Sequence, residues 1–137
     1  MRYFTIAEMT ASAAATREGI RNVPGPKATE ALTALVEDVL DPLREMYGHP
    51  IYVSSGYRCH RLNKAVGGAA SSQHMRGEAA DIHTGGRGEN ARLYQLIKRY
   101  FDFDQLIWEH GTDSEPSWVH VSYKAGGGNR KQELRIQ

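Results

Sequence analysis

The sequence predicts an α+β fold, in which helices pack on one face of a small, mostly antiparallel sheet. Two segments, about Lys27–Tyr47 and Glu89–Phe101, have apolar residues at helical spacing. Several short segments alternate between apolar and polar residues and are bounded by glycine or proline, which is typical of strands. The length of 137 residues suits a single domain, 1–137, with one hydrophobic core.

The first half of the chain is predicted to supply an arm and the main core helix. Residues 1–26 indicate an irregular N-terminal arm, in which Ala11–Ala15 could form a short helical turn and which Val23-Pro24-Gly25-Pro26 ends. The helix Lys27–Tyr47 follows, and its broad apolar stripe assigns it to the core. We expect Pro42 to kink this helix because proline has no backbone N–H, and Gly48 to end it.

The remainder is predicted to be strands joined by turns and one further helix. A helical turn is expected at Cys59–Val66, and the helix Glu89–Phe101 should pack against the sheet. Residues 125–137 should form a glycine-rich turn and a weak strand. The predicted strands are Ile51–Ser54, Glu78–Thr84, Phe103–Glu109, Ser117–Tyr123 and Lys131–Ile136.

Composition excludes several classes of protein. The net charge is +1 with both signs interspersed, which gives no electrostatic reason to expect nucleic acid or a membrane surface as a partner. The single cysteine, Cys59, excludes an internal disulfide and a multi-cysteine zinc site. We find no apolar run of the signal-peptide or membrane-spanning kind. We therefore expect a monomer that is made as a soluble cytoplasmic protein.

The most informative stretch is 71–81, where a histidine and an aspartate lie seven residues apart around Gly77. Zinc in catalytic sites binds three such side chains and keeps one position for water. His74 and Asp81 can supply two ligands if the chain turns at Gly77 and then continues as a strand, and His120, on an alternating strand, is the best candidate for the third. The spacing alone also allows a capping histidine and a surface aspartate. An unpaired carboxylate in an apolar strand is costly, which favours the metal site.

Three segments follow one another along the chain: Ser55-Gly56-Tyr57-Arg58, Ser72-x-His74-x-x-Gly77-x-Ala79-x-Asp81 and Trp118-Val119-His120. Together they resemble the zinc D-Ala-D-Ala carboxypeptidase family, whose zinc fold is shared by lysostaphin-type enzymes and the hedgehog signalling domain. The resemblance extends roughly from Phe4 to Tyr123. It implies one Zn²⁺ ion with three protein ligands, and an arginine that holds the substrate. The implied ligands are His74, Asp81 and His120, and the implied arginine is Arg58.

Substrate contacts are expected from three further side chains. Arg58 can bind a carboxylate through two parallel hydrogen bonds, which lysine cannot match, although a surface ion pair is an alternative. Ser72 could orient the substrate or a ligand, or could simply form a turn. Trp118 stands where some relatives carry a histidine, and we expect it to line the cleft. Transition-state stabilisation would then depend on zinc, Arg58 or another donor.

The general base is less directly indicated. Family members place an acidic residue three positions before the last zinc histidine, where this chain has Ser117. Glu109 ends the neighbouring apolar strand and is the favoured base, with Glu115 as the second choice. His83 follows Asp81 on the same strand face and is a competing ligand. His110 could assist near Glu109.

The resemblance implies a zinc-dependent peptidase that acts on the peptidoglycan stem peptide. The D-Ala-D-Ala bond is the first candidate, and an endopeptidase that cuts L-Ala-D-Glu, as phage endolysins do, is an alternative. A phage or prophage lysis protein, made in the cytoplasm and released to the cell wall, would fit this substrate. The remaining alternative is a zinc-stabilised binding module without catalysis, which the serine in place of the acidic residue favours.

Overall fold

A computed structural model describes all residues, 1–137, and is built around one five-stranded sheet. In order across the sheet the strands are β1, β2, β4, β3 and β5, and only β3 and β5 run parallel. The predicted α+β fold with a mostly antiparallel sheet is therefore confirmed. The strands are β1 (Tyr52–Ser55), β2 (Ala79–His83), β3 (Gln105–Glu109), β4 (Trp118–Ser122) and β5 (Gln132–Ile136).

Helices precede and connect the strands. The predicted core helix is a continuous helical stretch from α3 through a π-helical segment, Val36–Leu40, into α4. No helix is long and apolar enough to cross a membrane. The α-helices are α1 (Ile6–Thr10), α2 (Ala13–Glu18), α3 (Pro26–Leu35), α4 (Asp41–Tyr47), α5 (His60–Ala65) and α6 (Asn90–Tyr100), with 3₁₀ turns at Gln73–Arg76 and Gly85–Arg87.

The irregularity expected at Pro42 takes the form of the π-helical segment directly before it. A proline in an α-helix lacks a donor, and its ring clashes with the carbonyl four residues earlier. The backbone N–H of Asp41 instead bonds to the carbonyl of Val36, five residues back, so the turn is widened where the proline ring must fit. The helix then ends at Gly48, whose φ of 83° lies in the left-handed region.

The N-terminal 26 residues are more regular than the arm that the sequence predicted, because they contain α1 and α2, of which only α2 overlaps the helical turn expected at Ala11–Ala15. Each helix begins at a hydroxyl side chain, Thr5 or Ser12, which accepts a hydrogen bond from the backbone N–H three residues later. Helices of five and six residues are too short to show an apolar period, and only these caps indicate them. Phe4 and Met9 are buried and anchor the segment to the core.

The two faces of the sheet have different environments. One face packs on the helices, and the alternate residues of each strand point to the opposite face. There Asp81 of β2 lies opposite His120 of β4, which in turn lies opposite Ile107 of β3. The alternation of two neighbouring strands therefore brings two predicted ligands side by side. The helix-facing residues in the core include Ala80, Ile82, Leu106, Val119 and Val121.

Candidate active site

Three metal-ligating side chains converge on the face opposite the core helices. The ligand atoms of His74, Asp81 and His120 all lie within 4.8 Å of one another. Oδ1 of Asp81 is 3.5 Å from Nε2 of His74 and 3.0 Å from Nδ1 of His120. Two imidazoles and one carboxylate are a donor set that zinc takes in hydrolytic sites, where a further position stays open. The three side chains therefore fit one zinc ion.

His74 is delivered by the 3₁₀ turn rather than by a strand. The Oγ of Ser72 accepts the N–H of His74 at 3.1 Å and so begins this turn. The turn ends at Gly77, as the sequence predicted, with a φ of 72°. A Cβ at Gly77 would lie 2.3 Å from the carbonyl oxygen of Ala28, so only glycine allows both this φ and the close approach to α3.

A backbone carbonyl orients the ring of His74. Nδ1 of His74 lies 2.7 Å from the carbonyl oxygen of Gly56, which directly follows β1. Because a carbonyl oxygen only accepts hydrogen bonds, Nδ1 carries the proton and Nε2 keeps its lone pair for a metal. Metal-bound histidines commonly have such a partner, which fixes the tautomer and the ring orientation.

Asp81 is in the charged form that binds a cation. Burial alone would raise the pKa of this carboxyl, since its side chain is only 14% exposed. The hydrogen bond with His120 and the interaction with the neighbouring ring of His74 outweigh burial and hold the pKa of Asp81 well below its ordinary value. The site thus presents a carboxylate between two imidazoles at neutral pH.

The three ligands lie in a cleft of about 880 Å³. Glu109 and Trp118, which pair across β3 and β4, line one end of this cleft. Gln105 and Lys124, further along the same two chain segments, line the other end. Because His120 lies between these two ends on β4, the cleft extends along the sheet in both directions from the ligand cluster.

A hydrogen bond links the two residues at the first end. The indole Nε1 of Trp118 donates to Oε2 of Glu109 at 3.2 Å. Glu109 is half-buried and lies on the same sheet face as His120. The sequence predicted that Trp118 lines the cleft but missed this bond, because it depends on the register that pairs the last residue of β3 with the first of β4.

Two other polar residues considered from the sequence, Glu115 and His83, are engaged outside the cleft, whereas His110 lines it beside Trp118. Glu115 accepts the N–H groups of the first two residues of α6, at 2.7 and 2.9 Å, and so caps that helix. His83 accepts the N–H of Gly85 at 3.1 Å and does not belong to the ligand cluster. His110 is exposed, and its ring centroid lies 5.1 Å from that of Trp118.

Arg58 lines another wall of the cleft and has donors to spare. It is half-buried, its Nη2 lies 3.5 Å from Oγ of Ser72, and its Nε is buried without a hydrogen-bond partner. Burial lowers the pKa of Arg58, while the charges of Asp81 and Glu109 oppose this shift, and a guanidinium remains protonated in any case. A charged group with an unsatisfied buried N–H is suited to binding an anion.

A cleft with this donor set on the polar face of an α+β sheet defines a metal-dependent hydrolase. The peptidase M15 family matches residues 2–122, and the chain belongs to this family. A zinc D-Ala-D-Ala carboxypeptidase from Streptomyces albus G is 44% identical over 92 residues. That similarity covers 66% of this chain and 34% of the relative, so the chain spans about a third of the relative's length. The predicted family and metallopeptidase class are thereby confirmed, and the name of the relative agrees with the predicted zinc cofactor.

Proposed function

We propose that this protein hydrolyses a peptide bond of the peptidoglycan stem peptide, with the D-Ala-D-Ala bond as the first candidate. The observation that carries the proposal is the position of the His74, Asp81 and His120 cluster in one cleft with a carboxylate and a guanidinium. The name of the Streptomyces relative supports this class of substrate. A wall substrate is also compatible with a phage or prophage lysis protein.

His74, Asp81 and His120 would hold one zinc ion, which when bound supplies Lewis-acid polarisation of the scissile carbonyl and activation of water. Each ligand is fixed by its surroundings before any ion binds. His74 is held by the carbonyl of Gly56, and the other two ligands project from paired strands. Such preorganisation lowers the cost of assembling the site around the substrate.

Glu109 is the proposed general base. It would accept a proton from the attacking water and pass it to the departing amine. The indole N–H of Trp118 binds Oε2 of Glu109 and leaves Oε1 available for this transfer. The strand pairing and the indole together hold the carboxylate on the same face as the ligand cluster.

Arg58 is proposed to bind a substrate carboxylate. A carboxypeptidase must recognise a free C-terminal carboxylate, and a planar guanidinium can do so with two parallel hydrogen bonds. Ser72 lies beside the guanidinium and also begins the turn of His74, so it would serve the substrate and the ligand together. Trp118 would contribute the apolar wall at the end of the cleft where Glu109 lies.

An endopeptidase that cuts L-Ala-D-Glu or another internal stem bond is the second candidate. The cleft continues beyond His120 towards Gln105 and Lys124, which leaves room for several residues on both sides of a scissile bond. Within β4, strand geometry places Ser122 about 7 Å beyond His120, and Lys124 lies two residues further along the chain. A strict carboxypeptidase needs space for only one residue on the leaving side.

The test compares zinc-loaded Glu109→Gln with Glu115→Gln on purified muropeptides. Glu109→Gln should keep one zinc per chain and lose hydrolysis by about 100-fold or more. Glu115→Gln should keep the chemistry but unfold at a lower temperature, because Glu115 caps α6. Parental activity in Glu109→Gln would remove this residue from the mechanism. No cleavage by the zinc-loaded parent protein would favour a zinc-stabilised binding module instead.

A further inference from the structure

Asn22, in the N-terminal segment (residues 1–26), bonds to the loop that carries Arg58 (residues 56–59) on both sides of that arginine. Nδ2 of Asn22 donates to the carbonyl of Tyr57 at 2.9 Å, and its Oδ1 accepts the N–H of Cys59 at 2.8 Å. Nδ2 also donates to the carbonyl of Thr10 at 2.8 Å, at the end of α1. The residues immediately before and after Arg58 are therefore tied to the N-terminal segment by one amide.

The same loop is tied directly to the metal-ligand turn. The N–H of Arg58 donates to the carbonyl of His74 at 3.1 Å, and the N–H of Tyr57 donates to the carbonyl of Met9 at 2.8 Å. Gly56 lies so close to α1 that a Cβ on it would be 2.2 Å from the carbonyl oxygen of Met9. The N-terminal segment thus supports both Arg58 and the residue whose carbonyl orients His74.

The chemistry at position 22 requires an amide. Asn22 uses both N–H groups of Nδ2 and its Oδ1, so both polar atoms of its side-chain amide are engaged. An aspartate could accept from Cys59 but would direct a carboxylate oxygen at two carbonyls. Alanine would leave the loop on either side of Arg58 without these bonds. A long arginine side chain binds with less entropy loss when its backbone is already fixed.

We propose that Asn22 is a positioning residue for Arg58, which it holds where the guanidinium can meet the substrate carboxylate. The catalytic consequence rests on the proposed role of Arg58, whereas the mechanical link between Asn22 and the loop does not depend on that role. Loss of Asn22 should therefore loosen the loop in every state of the protein and weaken substrate binding only through Arg58.

The mechanical link can be tested by thiol labelling, because Cys59 is the only cysteine and lies within the loop. Asn22→Ala should increase the rate of Cys59 alkylation by a maleimide about tenfold or more, since two hydrogen bonds to the loop are lost. Asn129→Ala is the matched control: Asn129 is also half-buried and makes two bonds to Lys124, at 2.8 and 2.9 Å, in a different loop. Its labelling rate should stay within about twofold of the parent.

The catalytic link is measured on zinc-loaded protein with a peptide that ends in a free carboxylate. Asn22→Ala should raise KM about tenfold with zinc content unchanged, and should have no further effect on KM when combined with Arg58→Ala. Asn22→Asp keeps the size of the side chain and its hydrogen-bond acceptor. It should raise KM and the labelling rate of Cys59 as Asn22→Ala does, and it replaces the alanine variant in both assays if that variant does not fold.

Two results would overturn the proposal: labelling of Cys59 at the parental rate in both Asn22 variants, or a KM effect that persists in the Arg58→Ala background. A third result distinguishes the role of Arg58 in substrate binding from the attachment of its loop by Asn22. If Arg58→Ala itself left KM unchanged while Asn22→Ala accelerated labelling, the role of Arg58 in substrate binding would fail, and the positioning role with it, although the loop attachment would stand.

Discussion

Asp104 is a fully buried carboxylate that joins β3 to the segment leading into β5. It accepts hydrogen bonds from Nε and Nη2 of Arg130 at 3.0 and 2.8 Å and from the Arg130 backbone N–H at 3.1 Å. Nζ of Lys124 lies 3.6 Å away. The side-chain bonds of Arg130 outweigh burial and lower the pKa of Asp104 from 3.8 to about 2.

Asp104→Asn should therefore destabilise the protein by roughly 2 kcal/mol at neutral pH, because one pH unit of pKa shift corresponds to about 1.4 kcal/mol. In a chain of this size the melting temperature should fall by about 6–12 °C. Asp113→Asn is the control: Asp113 also pairs with an arginine, Arg135, but its side chain is 97% exposed. Exposed ion pairs contribute little to stability, so this variant should have the same melting temperature as the parent.

The effect has a defined pH dependence. Since the pKa of Asp104 is lower in the folded state, its stabilisation is present above the unfolded value of 3.8 and is lost as the pH falls towards 2. In urea unfolding between about pH 6 and about pH 2, the difference in the free energy of unfolding between the parent and Asp104→Asn should become smaller as the pH falls. The parent and the variant are compared at the same pH, so protonation of the His74, Asp81 and His120 cluster affects both equally and leaves the difference unchanged. A gap that stays constant down to the acid end would refute this reasoning.

Three further substitutions test the site. Gly56→Ala should lower zinc affinity by about 10–100-fold, because its Cβ would displace the carbonyl that orients His74; parental affinity in competition with a chromophoric chelator would contradict this. Gly77→Ala should destabilise by about 1–3 kcal/mol in urea unfolding, from its positive φ and its contact with α3. Trp118→Phe keeps an aromatic ring but loses the donor to Glu109, so kcat should fall about tenfold with zinc retained. An unchanged kcat would show that the indole N–H does not orient the base.

The cluster of His74, Asp81 and His120 was predictable because local patterns indicate its parts and the family resemblance implies the same three residues. Asp81 and His120 lie on strands whose apolar alternation shows which residues share a face, and Gly77 marks the turn that returns His74 to that face. The apolar stripe of the core helix likewise indicated its position, although not the π-helical segment by which it accommodates Pro42.

The parts that were not predictable depend on long-range contacts. Asn22 bonds to residues 35 and 37 positions further along the chain, and no local pattern indicates such a pair. The bond from Trp118 to Glu109 depends on the register of β3 and β4, which the sequence does not define to one residue. Glu115 could not be distinguished from Glu109 as a base without knowing that it caps α6.

The most direct test of the proposed function is mass spectrometry of purified muropeptides after incubation with the zinc-loaded protein, beside a chelated sample and zinc-loaded Glu109→Gln. We expect only the zinc-loaded parent to give a hydrolysis product, formed either by loss of a terminal alanine or by cleavage within the stem peptide. The first product would assign a carboxypeptidase and the second an endopeptidase. Intact muropeptides after incubation with protein that holds one zinc per chain would contradict the account.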